Sequence, residues 1–189
     1  MKLHWAGKYN LDPASLPHAE PKPNAVPFRE AEDTKKLGII ANAIALVLLA
    51  ALAAALFVRL RGKIGRWSFP VGASLSLLTM LPHEVLHAAC FVEDVYLYTN
   101  LKQGMLFVTG PEDMSRGRFV GMALLPNLVF GIVPYAIGFA LRLPALGYFG
   151  AFCTSMGAGD YYNIFNALTQ MPRGARTYID GFRSYWYLP

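Results

Sequence analysis

The feature that most constrains the fold of this chain is a long uncharged run that begins at Leu37. No charged side chain occurs between Leu37 and Val58, and the run ends at Arg59. A helix needs about 20 apolar residues to cross a bilayer, so this run qualifies as a membrane span. The chain has 189 residues, of which 54% are hydrophobic, and this composition favours a compact membrane bundle over a soluble domain. The sequence therefore predicts an integral membrane protein.

Three further apolar stretches predict an all-α membrane fold with about four transmembrane helices. The predicted spans cover about residues 37–60, 67–92, 119–141 and 144–170. Between the second and third spans, Val95–Thr99 and Met105–Thr109 are rich in residues that favour strands and flank a short turn, which predicts a β-hairpin. Residues 1–36 are polar, with five prolines between residues 11 and 30, so we expect a Pro-rich tail before a membrane domain over residues 37–189.

The stretch "LPHEVLHAAC" in the second predicted span carries an H-E-x-x-H motif. On a helix, His83 and His87 lie one turn apart on the same face, where both can bind one Zn²⁺. Glu84 can accept a proton from the attacking water and later give it to the leaving amine. Each ionisable group inside a span costs about 2.5 to 3.5 kcal/mol on insertion scales, so three of them predict a function. The alternative is a cluster just outside the hydrocarbon, solvated by headgroups.

A catalytic zinc site needs a third protein ligand, and Asp160 is the best candidate. It is the only acidic residue in the last two predicted spans, and it follows small residues that allow close approach. With four spans, the second and fourth end on the same side, which gives Asp160 a depth similar to that of the histidines. Asp180 is the rival ligand, and a purely structural carboxylate at Asp160 is the alternative. Cys90 can also bind a metal, although a buried thiol is the more common role.

Two asparagines are candidates for supporting roles. Asn127 lies in the third predicted span, and Asn163 follows Asp160 by about one helical turn. A carboxamide can donate a hydrogen bond to an oxyanion or orient a metal ligand. A structural hydrogen bond between helices explains either residue equally well.

The strings "LPHEVLHAACF" and "GAGDYYNIFNAL" together resemble a family of small bacterial membrane proteins classed as zincin peptidases, over about residues 65–170. More distantly, the chain is similar to intramembrane metalloproteases of the site-2 protease type. The resemblance implies a Zn²⁺ cofactor and hydrolysis of peptide bonds. It also implies that His83, His87 and Asp160 are the metal ligands and that Glu84 is the catalytic base.

These observations predict a zinc-dependent peptidase that acts on membrane-associated proteins or peptides, with the lipid bilayer as its surroundings. The alternative function is a non-catalytic metal-binding membrane protein, such as a carrier, sensor or scaffold. The basic residues flank apolar runs, which is typical of membrane anchors and argues against a nucleic-acid partner. More Lys and Arg lie near span ends on the side of the termini, so we expect a bacterial cytoplasmic membrane protein with both termini inside. The oligomeric state is not predicted.

Overall fold

A computed structural model of the protein describes residues 2–31 and 33–189. The helices are α1 (Thr34–Leu60), α2 (Ser68–Leu78), α3 (Met80–Ala88), α4 (Arg116–Pro126), α5 (Val133–Leu141), α6 (Pro144–Met156) and α7 (Ala158–Gln170), and a π-helical stretch over Asn127–Ile132 joins α4 to α5. The strands are β1 (Leu3–Lys8), β2 (Val26–Pro27), β3 (Val95–Asn100), β4 (Met105–Thr109), β5 (Met114–Ser115), β6 (Arg176–Asp180) and β7 (Arg183–Tyr187).

The chain forms two compact units, each assembled from separate segments. Unit 1 contains residues 1–30, 84–123 and 163–189. Unit 2 contains residues 31–83 and 124–162. Each unit has its own buried core.

Unit 2 is helical, and α6 packs against α1, α2 and α5. Its core contains Leu56 and Tyr148. The approach of α5 to α6 is close because glycines line it: a Cβ on Gly138 would lie 2.3 Å from the backbone nitrogen of Gly147. Small residues at such positions are typical of helices that pack in membranes.

Two helices in the described part of the chain are long and apolar enough to cross a membrane, judged by length and composition. They are Thr34–Leu60 and the continuous helix Arg116–Leu141. Much of the apolar surface of α1 is exposed in the structure, with Leu46 69% and Val47 68% accessible. An exposed apolar helix surface of this size is costly in water and favourable in lipid.

The predicted all-α fold with four membrane spans is wrong. The described residues contain seven strands in two sheets, and they contain two helices of spanning length instead of four. The predicted second span is divided at Thr79, whose hydroxyl donates to the carbonyl of Ser76 at 2.7 Å, a bond that competes with regular helix. The predicted fourth span is divided at Gly157 into α6 and α7, each of 13 residues. A helix of that length extends only about 20 Å, which is too short for a bilayer core of about 30 Å.

Unit 1 holds both sheets. One has the order β1-β3-β4 and the other the order β2-β7-β6-β5. β3 and β4 pair antiparallel, which confirms the predicted hairpin, and β1 from the predicted N-terminal tail pairs parallel with β3. Arg176 on β6 donates two hydrogen bonds to the carboxylate of Asp113 beside β5, and this contact lowers the pKa of Asp113 to about 2.

Candidate metal centre

Helix α3 carries the H-E-x-x-H motif within its 9 residues. One donor atom from each of His83, Glu84 and His87 lies within 4.8 Å of the others, a spacing that can hold a metal ion. His87 is buried, whereas His83 and Glu84 are partly buried. The helical spacing of the two histidines therefore produces the arrangement that the sequence predicted for them.

In unit 2, the imidazole of His83 meets the carboxylate of Asp160 on α7. The Nε2 atom of His83 lies 3.1 Å from Oδ2 of Asp160, and the two side chains are only 14% and 17% exposed. The same carboxylate oxygen accepts a hydrogen bond of 2.7 Å from Nδ2 of Asn127. The structure thus brings together His83, Asn127 and Asp160, which are far apart in the sequence.

The distance between His83 and Asp160 suits a shared metal ion. Zinc bonds of about 2.0 to 2.1 Å at tetrahedral angles separate two ligand atoms by about 3.3 Å. The observed separation of 3.1 Å between Nε2 and Oδ2 is close to this value. Imidazole and carboxylate are also among the ligand types that zinc sites use. His83 and Asp160 therefore have the spacing and the chemistry of two zinc ligands.

His87 is oriented by a backbone contact within unit 1. Its Nδ1 atom lies 2.9 Å from the carbonyl oxygen of Met122 on α4. A carbonyl can only accept, so Nδ1 carries the proton and the lone pair of the neutral ring is on Nε2. A zinc-binding histidine usually donates the N–H of its other ring nitrogen to such a carbonyl, and this hydrogen bond fixes the orientation of the ring. The sequence gives no signal for it, because any residue at position 122 has a carbonyl.

Glu84 is held beside β4, also within unit 1. Its Oε2 atom accepts a hydrogen bond of 3.0 Å from the backbone N–H of Val108. β4 is the outer strand of its sheet in the described residues. The Glu84 carboxylate is therefore hydrogen-bonded to the outer edge of the β3–β4 hairpin.

A charged pair holds the end of α3 in place. Arg118 donates to the carbonyl oxygen of Cys90 at 2.6 Å and forms a salt bridge of 2.5 Å with Glu112. Glu112 is buried, and its carboxylate accepts the backbone N–H groups of Val92 and Glu93. Burial acts to raise the pKa of Glu112, but these hydrogen bonds and Arg118 outweigh it, so the pKa lies below its ordinary value. The turn that follows His87 is thereby fixed at several backbone groups.

Asn127 has little room to move. It is fully buried at the start of the π-helical stretch, a feature that is frequent at functional sites. A Cβ on Gly157 would lie 1.6 Å from its Oδ1 atom. Position 157 must therefore be glycine for Asn127 to reach Asp160 as it does.

We predict that Asn127→Ala weakens zinc binding about 10- to 100-fold, because Asp160, the candidate third ligand, loses the donor that orients its carboxylate. Gly157→Ala should have a similar effect, since its methyl group would displace the Asn127 side chain. The dissociation constant can be measured by competition with a chromophoric chelator. Asn163→Ala is the matched control, because Asn163 is exposed, and it should leave the constant unchanged. An unaltered constant in Asn127→Ala would rule out this role.

The structure places the other candidates elsewhere. The carboxylate of Asp180, the rival ligand, lies 2.7 Å from Nδ1 of His18 in unit 1. Asn163 is exposed. The thiol of Cys90 contacts the carbonyl oxygen of Leu86 at 3.5 Å.

Comparisons with known proteins are consistent with this chemistry. A family model with the description "Putative zincin peptidase" matches residues 76–176, which include the motif on α3 and Asp160. Neither a curated protein nor a solved structure matches the chain.

Proposed function

This chain belongs to the "Putative zincin peptidase" family, and from that premise we propose that it is a zinc-dependent, membrane-embedded peptidase that cleaves membrane-associated substrates. One observation carries the proposal: the H-E-x-x-H helix has the Asp160 carboxylate 3.1 Å from the imidazole nitrogen of His83. The motif alone offers two ligands and a base, and the nearby aspartate supplies the third ligand that a catalytic site requires.

In the proposed mechanism, His83, His87 and Asp160 would hold a zinc ion, which would supply Lewis-acid activation of the scissile carbonyl and the attacking water. Glu84 accepts the proton of that water and then transfers it to the amine that leaves. The hydrogen bond from Val108 keeps the Glu84 carboxylate in one position, and Asn127 does the same for Asp160. Both bonds reduce the reorganisation that the reaction would otherwise need.

The edge of β4 is suited to hold the substrate. In an antiparallel pair, successive residues alternately face the partner strand and the outside. Val108 points its N–H to Glu84, so Leu106, two residues earlier, also directs its backbone groups away from β3. An extended substrate segment can pair with this edge as an added strand, which unwinds the peptide and brings it beside Glu84.

We predict that Leu106→Pro lowers kcat/KM about tenfold while zinc content stays the same. Proline removes the outward N–H, so the substrate strand loses one hydrogen bond of about 1 kcal/mol and meets the proline ring. Together these two effects account for a decrease of about tenfold in kcat/KM. Leu106→Ala, which keeps the N–H, is the control. Proline at Phe107 is a poor test, because that residue pairs with Tyr98 and the hairpin itself would break. Equal kcat/KM values for the Pro and Ala variants would remove the strand-pairing hypothesis.

The membrane location is supported by the two apolar helices of spanning length. β2 near the N-terminus pairs with β7 near the C-terminus, which supports the part of the proposal that both termini lie on one side of the membrane. We assign that side to the cytoplasm and the membrane to a bacterial cell, as the basic residues and the family resemblance suggested. Substrates that are themselves membrane proteins, or peptides bound to a membrane, have ready access to such an enzyme.

The direct test is hydrolysis by the purified chain in detergent. We expect about one zinc ion per chain and cleavage of a peptide that contains an apolar segment flanked by polar residues. A chelator should abolish cleavage, and added Zn²⁺ should restore it, because the metal ligands remain intact. A chain that binds zinc but cleaves none of a broad peptide library would favour the alternative, a non-catalytic metal-binding membrane protein.

A further inference from the structure

Five basic side chains gather at one end of unit 2, which we call the basic end. They are Arg59, Arg61 and Lys63 at the end of α1, Arg66 before α2, and Arg142 between α5 and α6. The ends of α1 and α5 meet here, because a guanidinium nitrogen of Arg59 lies 3.5 Å from the carbonyl oxygen of Ala140. α2 begins at the same end, since Phe69 in its first turn packs 5.4 Å from the ring of Tyr148 on α6.

The positive charge of the basic end is not balanced by its own chain segments. Residues 57–70 and 138–147, which form this end, contain no Asp or Glu. Like charges repel, so an anionic partner bound at this cluster would relieve the repulsion. The cluster therefore points to a ligand with negative charge.

Two of these arginines adopt a backbone conformation that normally requires glycine. Arg61 has φ 36° and Arg142 has φ 57°, so each ends its helix in the left-handed region. Glycine is the usual residue at such positions, and another residue costs about 1 kcal/mol or more. An arginine at both helix ends, despite this cost, indicates that the charge itself has a use.

The dipoles of the helices explain only part of the cluster. Cations are favourable at the C-terminal ends of α1 and α5. Arg66, however, immediately precedes Trp67, the N-cap of α2, where the dipole disfavours positive charge. The helix dipoles therefore do not account for every member of the cluster.

The surroundings of the basic end fit a lipid. Trp67 is 63% exposed and Phe57 is 68% exposed, and the guanidinium of Arg66 lies 5.2 Å above the Trp67 ring. Tryptophan and basic residues together are typical of the headgroup region of a membrane. From these observations we infer that the basic end of unit 2 is a binding site for acidic phospholipid headgroups, whose acyl chains lie along the neighbouring apolar side chains. The inference rests on the membrane placement proposed above but not on peptidase activity.

The test compares the full chain with the variant Arg61→Gly/Lys63→Gln/Arg142→Gly in detergent. Dihexanoyl-phosphatidylglycerol, dihexanoyl-phosphatidylcholine and inorganic phosphate are titrated separately, and the shift of the thermal unfolding midpoint gives each affinity. Glycine suits the positive φ at positions 61 and 142, so the variant should fold at least as well as the natural chain. Each Lys or Arg near an anionic surface raises the affinity about fivefold. The variant lacks three of them, so it should bind phosphatidylglycerol about a hundredfold more weakly.

A control variant removes the same number of charges from unit 1, at exposed positions: Lys8→Gln/Lys102→Gln/Arg173→Gln. It should bind phosphatidylglycerol like the natural chain. The inference is overturned if the control loses as much affinity as the test variant, if the test variant loses none, or if phosphatidylcholine or inorganic phosphate binds as well as phosphatidylglycerol. Carbonate extraction of membranes tests the membrane placement independently of the lipid site. Release of the chain would contradict the membrane placement, whereas retention without lipid selectivity would contradict only the lipid site.

Discussion

Glu84→Gln is expected to lower kcat about 10²- to 10⁴-fold while the bound zinc is retained, because the variant loses the proposed base for the proton of the attacking water. A glutamine has nearly the same shape, and its carbonyl oxygen can still accept the hydrogen bond from Val108. The loss of activity would therefore reflect chemistry and not misfolding. Turnover of a fluorogenic peptide and elemental analysis of the same sample provide the two readouts.

Glu93→Gln is the matched control for this experiment, since the side chain of Glu93 is exposed. It should leave kcat within about twofold of the natural value, as surface substitutions usually do. Full activity of Glu84→Gln would exclude Glu84 as the base. Loss of zinc in that variant would instead make Glu84 a ligand, which the closeness of its carboxylate to the two histidines allows.

The second large effect concerns the metal. We expect His83→Ala and Asp160→Ala each to weaken zinc binding by about a hundredfold or more. A structural zinc site contributes roughly 10 to 16 kcal/mol over four ligands, so each ligand accounts for about 3 kcal/mol. Nε2 of His83 and Oδ2 of Asp160 lie 3.1 Å apart in unit 2. Removal of either side chain therefore also removes a direct contact of the other. Zinc content after dialysis against a weak chelator is the measurement.

Asp180→Ala provides the comparison that separates the two candidate aspartates. Its carboxylate is paired with His18, so zinc binding should be unchanged. If Asp180→Ala lost the metal and Asp160→Ala kept it, the assignment of the third ligand would have to be reversed. If His83→Ala and Asp160→Ala both retained zinc, the metal centre at α3 would be contradicted.

Several elements of this protein follow from local sequence alone. The apolar run after Leu37 forms a single helix, because no proline or charge interrupts it before Arg59. The strand-forming residues on both sides of Gly104 form the β3–β4 hairpin, whose glycine has φ 65°. The spacing of His83 and His87 places both on one face of α3. The resemblance to zincin peptidases, based on two short strings, is confirmed by the family that matches, whereas the more distant similarity to site-2 proteases stays a prediction.

Other features could not be predicted from apolar patterning. Hydropathy measured over a window cannot detect that Thr79 and Gly157 interrupt two apolar stretches, because the breaks depend on single hydrogen bonds and on the packing of Gly157 against Asn127. The parallel pairing of β1 with β3 joins residues about 90 positions apart, and it depends on tertiary contacts that no local propensity encodes.

The sequence by itself determined the chemistry that the site can offer: two imidazoles one turn apart, a carboxylate between them, and acidic candidates further along the chain. Only the tertiary structure decided that Asp160 lies against His83, that Met122 orients His87, and that Val108 holds Glu84. The reason is physical. The sequence gives the type of every side chain directly. The partners of Glu84 and His87, however, are backbone N–H and C=O groups, which every sequence contains and which only folding can position.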